Sequence, residues 1–267
     1  MKFPSIPFSY ALLTSYASAA PSTYNRLEDR IARRAGHSTR PMQRIEESVA
    51  TGNETSDVQT TNWSGAVYSS PPSGQTWTSV MAVIEVPTIS VPSGSSSSGT
   101  YGVAAWIGID GYTYQDASLQ LGVDFIITNG VSSYTAWWDW LPDGAYDIGM
   151  GISEGDTITI TLTSGSSTSA LVDIANNNTG KVDTIAISSS YALAGQNAEW
   201  IVGDWMEGST SLSPCDWGTV SFTSAYATSS DSTITNANNA LILNMVQNNV
   251  VLSSVSISGS TVTDTYV

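Results

Sequence analysis

Thr157-Ile158-Thr159-Ile160-Thr161-Leu162-Thr163 alternates hydroxyl and aliphatic side chains without a break. In a strand this pattern sends Ile158, Ile160 and Leu162 to one face and the threonines to the other. Val220 and Phe222 alternate with Thr219, Ser221 and Thr223 in the same way, and Val255 and Ile257 alternate with serines near the C-terminus. Turn-forming clusters separate such runs: Pro71-Pro72-Ser73-Gly74, the stretch from Ser93 to Gly99, Pro142-Asp143-Gly144, and the stretch from Asn176 to Gly180. No long amphipathic helix and no internal repeat stands out. Residues 56–267 are expected to form one all-β domain, a sandwich of two antiparallel sheets of the lectin-like jelly-roll kind.

Charge narrows the chemistry open to this domain. The chain has one histidine, His37, and one cysteine, Cys215. Beyond Arg44 the sole base is Lys181, set against 21 of the 23 acids. A thiol enzyme, a Ser-His-Asp enzyme and a His-ligated zinc site are disfavoured by this inventory, and no metal or cofactor is expected. Cys215 reads as a small buried apolar group. Nucleic acid is excluded as a partner, because so acidic a surface repels phosphate. What remains is hydrolysis by carboxylates, amides and water, in surroundings acid enough to neutralise many of the carboxylates. The domain is expected to be stable in acid and to weaken as rising pH restores the repulsion.

Residues 1–19 read as a secretory signal: Lys2, a short apolar stretch from Phe8 to Tyr16, then Ala17-Ser18-Ala19 as a small-residue cleavage site. No stretch reaches the ~20 apolar residues of a membrane span. A secreted, extracellular monomer is expected, with sequons at Asn53, Asn62 and Asn177. Residues 20–55 differ sharply in composition, with six arginines from Arg26 to Arg44. A disordered basic leader is the plain reading. The opposite charge of leader and domain favours the other: a pro-segment that pairs with the acids as an inhibitor until the pH drops.

Two segments carry polar side chains on a strand face. In Leu119-Gln120-Leu121-Gly122-Val123-Asp124-Phe125 the apolar residues face a core, and Gln120, Gly122 and Asp124 share the other side. In Asn197-Ala198-Glu199-Trp200-Ile201-Val202, Glu199 and Ile201 share one face. Periodicity alone makes these solvated side chains. Nine tryptophans lie between Trp63 and Trp217, including the run Trp137-Trp138-Asp139-Trp140. Too many sit beside polar positions for all to be buried, so an aromatic-lined groove for a polypeptide or polysaccharide is expected.

Asn62-Trp63-Ser64-Gly65-Ala66, Trp106-Ile107-Gly108-Ile109-Asp110-Gly111 and the two segments above occur in the order seen in the glutamic peptidases, or eqolisins. The resemblance runs from about Asn62 to Val267. It implies a secreted acid endopeptidase, insensitive to pepstatin, on a sandwich of two seven-stranded sheets. It also implies a catalytic pair, with Gln120 matching the glutamine and Glu199 the glutamate. Trp106, Asp110 and Asp124 match residues kept around that pair. A basic pro-segment is a habit of the family. One departure is Gly203, where members often carry a second acid ahead of the residue matching Asp204.

Physical chemistry supports such a pair. Amide hydrolysis in acid needs water activated on one side and an oxyanion stabilised on the other. Glu199 can take the water proton and return it to the leaving nitrogen. The Gln120 amide can donate to the oxyanion, and it does not titrate. Asp139 lies outside this pair and receives no role. Two other readings compete on the residues alone: a glycosidase using Asp124 and Glu199, and a sugar-binding domain with Trp137 to Trp140 as its platform. The four ordered motifs favour the peptidase.

Overall fold

The computed structural model describes residues 37–45, 57–207 and 210–267. The expected signal sequence, most of the basic leader and the Asn53 sequon lie outside the described residues. The first strands are β1 (His37–Ser38), β2 (Val58–Thr60), β3 (Trp63–Tyr68), β4 (Trp77–Glu85) and β5 (Thr100–Ile109). Then come β6 (Ser118–Thr128), β7 (Val131–Leu141), β8 (Gly144–Ile148), β9 (Thr157–Ser166) and β10 (Ser169–Asn176). β11 (Lys181–Ser188), β12 (Ala198–Asp204), β13 (Met206–Glu207), β14 (Thr210–Ser211) and β15 (Thr219–Ser229) follow. The last are β16 (Ile234–Asn236), β17 (Leu241–Gln247), β18 (Val250–Val251), β19 (Ser253–Ser258) and β20 (Thr261–Tyr266).

Two large sheets form the expected sandwich. One runs β11-β10-β9-β4-β15-β20-β19, with β16 added beside β15. The other runs β18-β17-β3-β12-β5-β6-β7-β8, with β2 added beside β17. Each keeps a frame of seven longer strands, and the short β16, β2 and β18 bring them to eight and nine. The β2–β17 pair is parallel. The short strands β1, β13 and β14 make a small third sheet.

The alternation read from the sequence decides what lies between the layers. Ile158, Ile160, Leu162, Val220 and Phe222 are fully buried there, facing Leu119, Leu121, Val123 and Phe125 from the nine-stranded sheet. Trp77, Trp138, Trp140, Trp200 and Trp217 join this core. Cys215 is buried in it as expected, and burial pushes its thiol up to about 12. The other four tryptophans, Trp63, Trp106, Trp137 and Trp205, gather on the far face of the nine-stranded sheet with Ile201 and Leu243, and Met42 packs against them.

All nine tryptophans are therefore buried, none more than 8 % exposed, against the expectation that some would line open surface. The reason is a second layer of cover. β9 alternates buried and half-exposed residues through Leu162, whereas β5 and β6 are buried on both faces over most of their length. The sandwich core covers one face. The leader residues around Met42, and the chain near Leu212, lie over the other.

Asp264 on β20 is a carboxyl inside this core, fully buried. Ser64 and the Trp217 indole face it, yet neither closes a well-formed hydrogen bond with it. Burial raises its pKa to about 7. The folded value lies above the unfolded carboxylate value of ~4, so its contribution to stability is complete below ~pH 4 and is lost as pH rises through ~7. Asp264→Asn removes that ionisation with little change of shape. Its melting temperature should match wild type in acid and fall less steeply from mildly acidic to mildly alkaline pH. Parallel melting curves for the two proteins would assign the alkaline weakness to other groups.

Candidate active site

Cross-strand register assembles the site. Glu199 on β12 pairs with Gly108 on β5, Gly108 with Gln120 on β6, and Gln120 with Asp139 on β7. Side chains of one row share a face, so Glu199, Gln120 and Asp139 stand on the far face of the nine-stranded sheet, with Gly108 between the first two. All three are fully buried. They are not solvated side chains on an exposed strand.

Gly108 makes this approach possible. A Cβ added there would fall 2.3 Å from Glu199 Oε1 and 2.8 Å from its Cγ. Glu199 thus leans across its neighbour strand toward Gln120. Its Oε1 accepts a long 3.5 Å contact from Trp106 Nε1. Glu199 Oε2 and Gln120 Nε2 have no hydrogen-bond partner among the described residues. A buried acceptor and a buried donor left in this condition each cost desolvation energy, a usual mark of groups kept for a ligand. Burial raises the Glu199 pKa well above the ordinary value, and the nearby Asp110 and Asp139 raise it further, while the Trp106 contact opposes.

Two loops hold β5 and β12 in that register. Asp110, at φ 65°, directs Oδ2 to the backbone N–H groups of Ala194 and Gly195 at 2.7 and 2.9 Å. Its Oδ1 takes those of Gln196 and Asn197 at 2.6 and 3.2 Å. Burial raises its pKa, and these four donors work against the rise. Asn197 answers from the other side: its Oδ1 accepts from the N–H groups of Tyr112, Thr113 and Tyr114 at 3.2, 2.8 and 3.2 Å. Glu199 follows two residues later. Among the described residues Asp110 makes its hydrogen bonds to the loop rather than to the pair, and it acts on the pair through that loop and through its charge.

Asp124 is buried on the same face but four residues along β6 from Gln120, ~13 Å at the usual rise of a strand. It does not join the pair. Trp138 and Trp140 point into the sandwich core, so the tryptophan run forms no exposed platform for sugar. At Gly203, where members of the family often carry an acid, there is no room for a side chain: a Cβ there would lie 2.2 Å from Trp106 Cη2.

Asp139 and Asn197 belong to the site without standing out in the sequence. Asp139 was legible. β6 and β7 are joined by Asn129-Gly130, both at positive φ, the signature of a two-residue hairpin. Counting outward from that turn sets Asp139 opposite Gln120. Asn197 carries no comparable signal, since its partners are 83 to 129 residues away.

The leader lies across this face. Thr39 Oγ1 donates to Gln120 Oε1 and approaches Asp139 Oδ2 at 3.3 Å. Backbone groups of the next residues are held in turn: Trp63 Nε1 donates to the Arg40 carbonyl at 2.9 Å, and Asn62 Nδ2 to that of Pro41 at 3.0 Å. Asn62 Oδ1 accepts from the Gln43 N–H at 2.8 Å. Asn62, read earlier as a sequon, is buried in this contact, whereas Asn177 is exposed in the turn between β10 and β11. Among the described residues no group of three or more His, Cys, Asp or Glu could hold a metal. No helix among them is long and apolar enough to cross a membrane.

The fold and the buried carboxyl–amide row are those of a β-sandwich with a peptide segment seated on its site face. The Peptidase A4 family model matches residues 61–266, and the chain belongs to this family, the eqolisins. It is 38 % identical to Aspergillopepsin-2 of Aspergillus niger and 34 % identical to Scytalidopepsin B of Scytalidium lignicola, over all of each chain. It also resembles the crystal structure of scytalido-glutamic peptidase with a peptide-based transition state analog. That match has a TM-score of 0.67 and 34 % identity, over 78 % of this chain and 98 % of that one. The chain is an endopeptidase of this family, and its substrates are polypeptides.

Gly108→Ala should therefore be a severe variant on a sound fold. The methyl group must push the Glu199 carboxyl aside, and a displacement of ~1 Å can cost ~10²-fold in rate. We expect kcat/KM on a denatured protein to fall by about that factor, with a melting temperature near wild type in acid.

Proposed function

We propose that Glu199 and Gln120 hydrolyse peptide bonds in acid without a covalent intermediate. Glu199 accepts a proton from the attacking water and returns it to the leaving nitrogen. The Gln120 Nε2 N–H donates to the oxyanion of the tetrahedral intermediate. One observation carries this reading: Glu199 Oε2 and Gln120 Nε2 are buried on either side of Gly108, with no hydrogen-bond partner among the described residues. The raised Glu199 pKa suits a group that must both take and give a proton. Asp139 supports the pair by flanking Gln120, and its charge adds to the rise at Glu199. Trp106 orients the carboxyl, and Asp110 with Asn197 fixes the strand that bears it.

Three variants separate these roles. Glu199→Gln should lose ~10²–10⁴ of kcat, the range of general acid–base catalysis. Gln120→Ala should lose ~10²–10³, as when an oxyanion donor is deleted. Asp139→Asn should keep more activity and shift the profile. Removing a charge that raises the Glu199 pKa lets Glu199 ionise at lower pH, so the acid limb should move down. Asp183→Asn, on the opposite sheet, is the control. Near wild-type turnover in Glu199→Gln would remove the mechanism.

The remainder of the reading concerns the leader. Residues 1–19 serve as a signal sequence, residues 20–55 as a pro-segment, and the mature enzyme is a secreted, extracellular monomer. The pro-segment inhibits by lying in the groove, as the contacts of Thr39 and of the Arg40 to Gln43 backbone suggest. Arginine stays charged throughout, while carboxylates as a class lose charge in acid, so the hold weakens as pH falls. A synthetic peptide of residues 37–45 should inhibit the mature enzyme competitively at mildly acidic pH and low salt, and less well in stronger acid. Failure to inhibit at any pH would leave the leader a role in folding alone.

A further inference from the structure

Asp204 closes β12 at the edge of the groove, and its side chain is 3 % exposed. Its Oδ2 takes two donors, Arg40 Nη2 at 2.8 Å and Ser211 Oγ at 2.7 Å. Its Oδ1 meets no partner among the described residues. The described part of the mature domain thus supplies this carboxylate with a single neutral hydroxyl. Among the described residues the only cation on it is Arg40 of the leader, which the mature enzyme has lost under the function proposed above.

In the covered state Arg40 offsets the desolvation of Asp204; once the leader leaves, the carboxylate faces the groove with no charged partner among the described residues. Arg40 does not reach it by accident of surface charge. Its own carbonyl is tied to Trp63 Nε1, and the residues on either side of it are fixed to Gln120 and Asn62. Most of these ties go to backbone atoms, which every peptide carries. A substrate lying along the same path would bring its own side chain to Asp204. We propose that Asp204, supported by Ser211, is a specificity subsite that takes a lysine or arginine side chain of the substrate. It lies one residue along from the position at the reacting centre. This rests on the peptidase reading of Glu199 and Gln120.

The balance of neighbours favours a cation over a neutral hydrogen-bond donor. Oδ2 is already shared with Ser211 and Oδ1 is free, so a forked guanidinium or a multiply donating ammonium can serve both oxygens. A glutamate presented at the same place would meet a like charge with little water to screen it.

The test uses the mature enzyme and a set of fluorogenic peptides of one sequence, in which a single arginine, alanine or glutamate is walked through the positions around the cleaved bond. In mildly acidic buffer, one position should show a preference for arginine over alanine of about tenfold in kcat/KM, with glutamate lower still. Asp204→Asn should abolish that preference while leaving the alanine peptide cleaved at a rate close to wild type. Ser211→Ala, which only loosens the carboxylate, should reduce it part way and guards against a folding defect in the first variant. Equal rates for the three peptides at every position, or a preference that survives in Asp204→Asn, would overturn the subsite. If wild type cleaves none of the peptides and no denatured protein, the peptidase reading falls first and the subsite with it.

Discussion

A carboxyl and an amide on two strands that flank a third can face each other only if the residue between them has no side chain. Gly108 meets that condition, with Glu199 on one side and Gln120 on the other. A methyl group there would overlap the carboxyl itself. Trp106, Asp110 and Asn197 then have a common purpose, to keep β5 and β12 in register and the carboxyl pointing across the gap. Trp106 touches Glu199 directly and the other two act through a pair of loops that grip each other's backbone. Loss of the register by one residue would turn Glu199 into the sandwich core.

Burial and surface charge push the electrostatics of the molecule in the same direction. Glu199 and Asp264 both hold their protons to higher pH than a free carboxylate, and both are fully buried. One lies at the site and the other between the sheets. Each stabilises the fold while protonated and strains it when ionised, so both favour a fold that is stable in acid. The wide excess of acids over the single Lys181 acts in the same direction through repulsion.

The leader completes the second cover on the site face. Met42 packs on the tryptophan cluster, Thr39 meets Gln120, and Arg40 meets Asp204. The contacts combine apolar burial, backbone hydrogen bonds and one ion pair, the three means by which a groove holds an extended peptide.

The sequence by itself determined the class of fold. Alternation in Thr157 to Thr163 and in the strand of Val220 and Phe222 sorts side chains between core and outside whatever the neighbours are, because it is a property of the extended backbone. It also marked Gln120 and Glu199 as polar residues on strands, and a local hairpin at Asn129-Gly130 held the place of Asp139. Only the tertiary structure decided the rest. That Glu199 and Gln120 flank Gly108 depends on the pairing of β12 with β5, whose loop-end partners Ala198 and Ile109 are 89 residues apart, and no local pattern encodes it. The same holds for the burial of all nine tryptophans, for the absence of room at Gly203, and for Arg40 on Asp204. Each rests on contacts between segments far apart in the chain, and side-chain periodicity records which face a residue takes without recording what covers that face.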